Sequence, residues 1–75
     1  MNELRTQTEE LYDYLKQNGS ITQMKALREL GIMRLASRIS DLRRQGVPIS
    51  KEMINVKAKN GRVASVARYT LVEEA

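Results

Sequence analysis

The sequence predicts an α+β fold: three helices followed by a two-stranded antiparallel β-hairpin. Three observations carry that prediction. Within GIMRLASRISDLRRQG, Gly31 to Gly46, Leu35, Ile39 and Leu42 recur at helical spacing and form one apolar stripe. After Gly46 the period changes from helical to alternating. Asn60-Gly61 then divides the alternating stretch in two, and that dipeptide is the strongest short hairpin signal.

The 75 residues make one small domain, 1–75, with a core from about residue 4 to 71. With 41% hydrophobic and 29% charged residues the chain reads as globular. Phe and Trp are absent, so the core must be aliphatic, helped by Met and the three tyrosines. Cys and His are absent too, which removes disulfides and the usual zinc ligands and suits a reducing compartment. No apolar run approaches a membrane span or a signal-peptide core, so the expected location is the cytoplasm, with no membrane partner. Charge is unevenly spread. Residues 1–33 carry four basic and five acidic side chains, whereas residues 34–68 carry nine and two. Such asymmetry suggests a polyanion-binding half on a neutral support.

The first helix runs from about Leu4 to Gln17, its buried line traced by Leu4, Leu11 and Leu15 with Thr8 between. Thr6 and Glu9 have capping-box spacing, which would start the regular part nearer Gln7. Asn18-Gly19 stops it. Tyr12 and Tyr14 flank the stripe and read as packing residues. Ser20-Ile21-Thr22 is an extended connector into a second helix, about Gln23 to Leu30. Thr22 is the N-cap, with Ser20 and Gln23 as a competing capping box. Ala26, Leu27 and Leu30 face inward, and Met24 or Lys25 could touch a phosphate from the first turn. Gly31 ends this helix and Ile32 plugs the corner. Two helices joined by a short glycine turn, the second bearing exposed arginines, have the layout of a helix-turn-helix.

Pro48 cannot continue the third helix, so Val47-Pro48-Ile49 enters a strand. Centring a two-residue turn on Asn60-Gly61 pairs Lys59 with Arg62, Ala58 with Val63, Val56 with Ser65 and Ile54 with Ala67. One face of the hairpin then carries Ile54, Val56, Ala58, Val63, Ala67, Tyr69 and Leu71. The other carries Met53, Asn55, Lys57, Lys59, Arg62, Val66 and Arg68. A slip of one residue would invert this assignment. A basic hairpin after such a helix is a wing.

The span from Leu4 to Leu71 resembles a small winged helix-turn-helix domain of the bacteriophage and prophage type. The resemblance rests on ITQMKALRELGIMRLASRISDLRRQGVPI, Ile21 to Ile49, and on the closing Ala67-Arg68-Tyr69-Thr70-Leu71. It implies a DNA-binding module without a cofactor, often a regulator or accessory factor. Carried onto this sequence, the recognition-helix positions are Arg34, Ser37, Arg38, Asp41 and Arg44. The wing positions are Lys57, Lys59, Asn60, Gly61 and Arg62, with Arg68 farther along the strand. In one respect the sequence departs from the pattern. With Gly31 as the turn glycine, the expected small residue four places earlier is Leu27, and the next buried position falls on Ser37. The turn should therefore be longer than in repressor-type motifs.

The arginines divide by position. Arg34 and Arg38 lie toward the N-terminal half of the helix, where base edges are reached, with Ser37 beside them. Arg44 suits a phosphate or its own helix dipole. Asp41 either accepts from cytosine or holds Arg38 or Arg44, the local pair being favoured. Arg43 lies beside the stripe and would be buried along its stem. No nucleophile setting or phosphate loop is present, so an enzyme is not expected. The leading function is sequence-specific binding of double-stranded DNA. The alternative is a protein-interaction module using the same basic face on a host protein. No heptad run is left over for a dimer, so the free chain is expected to be a monomer.

Overall fold

The computed structural model describes residues 6–72. Its elements follow the chain as α1 (Gln7–Asn18), β1 (Ser20–Thr22), α2 (Gln23–Lys25) running into a π-helical segment (Ala26–Leu30), α3 (Leu35–Arg44), β2 (Ile49–Lys57) and β3 (Val63–Leu71). Leu4, where the sequence suggested the first helix begins, lies outside the described residues. The capping box is formed. The Thr6 hydroxyl accepts from the Glu9 amide, and the Thr6 amide donates to the Glu9 carboxylate, each at 3.1 Å. A cap of this kind stabilises a helix by about 1 kcal/mol, and it sets the start of α1 at Gln7.

The second helix departs from regular geometry. The Thr22 hydroxyl caps it by accepting from the Lys25 amide. It ends on Gly31, whose φ of 70° is the left-handed conformation that a Cβ disfavours. The Ile32 amide donates to the Ala26 carbonyl and the Gly31 amide to Leu27. Each bond reaches one residue farther back than in an ordinary Schellman ending. The wider turn explains a correction. Ala26 is fully buried and Leu30 packs on the core, but Leu27, expected to face inward, is 47% exposed. With i→i+5 bonding, Ala26 and Leu30 share the inward line and Leu27 is rotated off it. Gly31–Arg34 then form the turn ahead of α3, consistent with the lengthened connection expected from the sequence.

Leu11 and Leu15 of α1, Ile21 of β1, Ala26, Ile32, the α3 stripe Leu35, Ile39 and Leu42, and Ile49 and Tyr69 of the sheet make one core. The three described methionines do not contribute as the composition suggested. Met24, Met33 and Met53 are 65%, 76% and 58% exposed. At its C-terminus α3 closes with Gly46 bonded to the Arg43 carbonyl and Val47 to Leu42, the paired bonds of a Schellman motif. Val47 packs back on the core.

The connector 20–22 is itself a strand. It pairs antiparallel with β3, Ile21 opposite Tyr69, so the hairpin belongs to a three-stranded sheet of order β1-β3-β2. A three-residue strand carries no periodicity of its own; only its partner defines it.

The hairpin register corrects the expected one by a single residue. Lys57 pairs with Val63, Val56 with Ala64, Ile54 with Val66 and Met53 with Ala67. The loop has three residues, Lys59, Asn60 and Gly61. It is closed by the Ala58 amide donating to the Arg62 carbonyl and by the Gly61 amide donating to Ala58. Gly61 has φ 87° and Asn60 is not at positive φ. A two-residue type I′ turn needs positive φ at both central residues, so the Asn-Gly signal here makes a turn followed by a glycine bulge. The β3 faces stand as expected, with Ala67, Tyr69 and Leu71 together on the core side. The β2 faces are inverted. Met53, Asn55 and Lys57 share the Ala67–Tyr69 face, while Ile54 and Val56 lie with Val66 and Ala64 on the other.

Candidate nucleic-acid interface

Burying Leu35, Ile39 and Leu42 to 1% exposure turns the other side of α3 outward. Arg34 occupies the N-cap position and its side chain has no hydrogen-bond or ion-pair partner among the described residues. Together with Met33, Ser37, Arg38 and Gly31 it lines a shallow depression that Gln7 of α1 also borders. A neighbouring depression joins Thr6 and Thr8 to Arg38, Asp41, Arg44 and Gln45. The first turn of α1 therefore flanks the outward face of α3. Sequence reading assigned Thr6 only a capping role and passed over Gln7 and Met33, since polar first-turn residues and a lone methionine carry no distinguishing pattern.

Asp41 forms both of the local pairs considered for it. Its carboxylate lies 3.3 Å from Arg38 and 2.6 Å from Arg44. One carboxylate thus orients two guanidinium groups and offsets part of their charge. Arg43 differs from its expected place. It is exposed, and its Nε and Nη2 both donate to the Ile49 carbonyl at 3.2 and 3.0 Å. That fork ties the end of α3 to the start of β2.

Gln23, which the sequence suggested only as a capping partner of Ser20, has a larger role. Its amide nitrogen donates to the Ile32 carbonyl at 2.8 Å, and its carbonyl oxygen accepts from the Leu35 amide at 2.9 Å. Arg34 has no capping side chain for α3, so Gln23 satisfies the first turn of that helix from across the motif. Gln23→Ala is expected to lower stability by about 1–3 kcal/mol, the sum of two part-buried bonds. Thermal melting checks the size. Amide exchange at Leu35 checks the place, and unchanged exchange there would overturn the assignment.

The wing presents Lys57, Lys59 and Arg62 as exposed cations without ion-pair partners among the described residues. Asn60 accepts from the Arg62 amide at 3.0 Å, which shapes the tip. Arg68 stands apart from these. It lies directly opposite Glu52 and forks onto its carboxylate, with Nε at 2.8 Å and Nη2 as the second donor. Acidic residues of α1 and of the π-helical segment gather elsewhere. Glu10, Asp13 and Glu29 line a depression that shares no residue with the two beside α3. Tyr12 and Tyr14 pack against the core as expected, and Lys16 sits over the Tyr12 ring at 4.6 Å.

Among the described residues no cluster of His, Cys, Asp or Glu is arranged to hold a metal, and no helix is long and apolar enough to cross a membrane. A family model described as a winged helix-turn-helix domain matches residues 6–74. No curated protein and no solved structure matches the chain.

Proposed function

From the premise that this chain belongs to the winged helix-turn-helix domain family, a DNA-binding fold, we propose that it binds double-stranded DNA sequence-specifically. The observation that carries this reading is the division of α3 into a buried stripe and an outward face led by Arg34, which has no side-chain partner among the described residues. α3 enters the major groove with its N-terminal end toward base edges. Arg34 and Arg38 read bases, with guanine O6 and N7 as the preferred acceptors, and Ser37 donates or accepts beside them. Arg44 meets a phosphate. Asp41 acts on its own helix, holding Arg38 and Arg44 extended before DNA arrives. Lys57, Lys59, Asn60, Gly61 and Arg62 follow the backbone or the minor groove alongside, where contacts position the protein without reading sequence. Arg68, held by Glu52, supports the wing.

The biological role we infer is that of a transcriptional regulator or a recombination or packaging accessory of a phage-type element, acting in the cytoplasm of a bacterial or infected cell. That inference draws on the resemblance of residues 21–49 to phage domains. A single copy offers a small footprint for tight specificity, and the free protein is proposed to be a monomer that pairs only on adjacent sites. Sedimentation at micromolar concentration without DNA should give a single species of about 8.6 kDa; a stable dimer would overturn this part.

Selection from a randomised duplex pool tests the whole reading. A recovered motif whose binding survives excess competitor DNA is expected. Recovery of unrelated sequences, together with salt-insensitive capture of a protein partner by the same basic face, would overturn it in favour of a protein-interaction module.

A further inference from the structure

We infer that Met33 is a specificity-determining residue that contacts the C5-methyl group of a thymine in the major groove, an assignment that rests on the DNA-binding reading above. Met33 is 76% exposed, although its neighbour Ile32 is fully buried. Met24 and Met53 are exposed as well, and single apolar side chains at a surface are ordinary. What marks Met33 is its place beside Arg34 and Arg38. Among the described residues none covers it.

Its surroundings say what would. Met33 lies with Arg34, Ser37 and Arg38 at the N-terminal end of α3, the end that reaches base edges in helix-turn-helix docking. Among the described residues it is the one large apolar side chain in that depression. Among the groups displayed by base pairs in the major groove, the thymine methyl is the apolar one. A flexible thioether adapts to such a surface. The backbone that presents it is held on both sides. Gln23 bonds the Ile32 carbonyl just before Met33 and the Leu35 amide just after Arg34, while Gly31 sets the left-handed start of the turn. Met33 is thereby presented from a braced turn, next to two guanidinium groups suited to guanine. The expected motif therefore sets thymine next to guanine.

The test uses the full chain and the duplex recovered by selection with the unaltered protein. A thymine is expected among the selected bases, and replacing it by deoxyuridine removes only the methyl group. That replacement should weaken binding about fourfold, the effect of exposing one methyl-sized group. Met33→Ala should weaken binding to the thymine duplex by a similar factor and should be indifferent to deoxyuridine. Because Met33 is exposed, Met33→Ala should melt like the parent, which removes misfolding as an explanation. Absence of a selected thymine, or a full deoxyuridine effect persisting in Met33→Ala, would overturn the assignment. Arg34→Ala separates the two levels. If it weakens binding while Met33→Ala does not, only the Met33 inference falls. If neither variant changes binding, the reading of α3 as the recognition helix falls with it.

Discussion

Ile39→Ala is expected to lower the unfolding free energy by about 2–5 kcal/mol. Ile39 is 1% exposed and central in the α3 stripe, within the core that joins α1, the second helix and the sheet. Its truncation opens a cavity that three different layers would have to close together. A small domain holds only about 5–15 kcal/mol in total, so the variant should approach the limit of foldability. At about 4–8 °C per kcal/mol for a domain of this size, the melting temperature should drop by at least about 8 °C. Ile39→Val keeps most of the volume and should cost only about 0.5–1.5 kcal/mol. An Ile39→Ala protein that melts like the parent would mean that α3 does not face the core as described, and the outward assignment of Arg34, Ser37 and Arg38 would be lost with it.

The second large effect is on binding. If one copy neutralises about 4–6 phosphates, affinity for duplex DNA should fall by roughly two to three decades between 50 and 200 mM salt. The exposed cations of the wing tip and the outer face of α3 supply that number of contacts. Lys59→Ala combined with Arg62→Ala should reduce the salt slope by about two and weaken all duplex sequences alike, because backbone contacts carry no sequence information. A binding constant that hardly moves with salt would contradict both the contact count and the polyanion partner.

What the sequence disclosed follows the range of the interactions involved. The capping box of Thr6 and Glu9 and the stripe Leu35, Ile39 and Leu42 depend on spacing within one helix, and both stand as read. The same holds for the pairing of Asp41 with its neighbours along α3. β1 was invisible because Ser20–Thr22 become a strand only against Arg68–Thr70. The Gln23 bridge to Leu35 spans twelve positions and has no local mark. The register of β2 was lost for a different reason. Asn60-Gly61 is compatible with a two- or a three-residue loop, and β2 has apolar residues on both of its faces, Met53 on one and Ile54 and Val56 on the other. Alternation alone could not decide between them. Leu27 was misread because a π turn leaves no signature in composition while changing the angular position of each later side chain.

The pairing of β1 with β3 also sets an order of events during synthesis. Ile21 finds its sheet partner in Tyr69, almost fifty positions later. When α3 first emerges from the ribosome, the segment that precedes the second helix has no strand to lie against, and Ile49 and Tyr69 are not yet available to close the core. Helical hydrogen bonds are local and can form early, but β1 cannot pair and the core cannot close until the hairpin has turned back. Closing so long a loop is slow compared with helix formation. The arginine-bearing helix therefore acquires its fixed orientation late, and a nascent chain halted before residue 69 would carry the positive charge without the rigid scaffold that aims it.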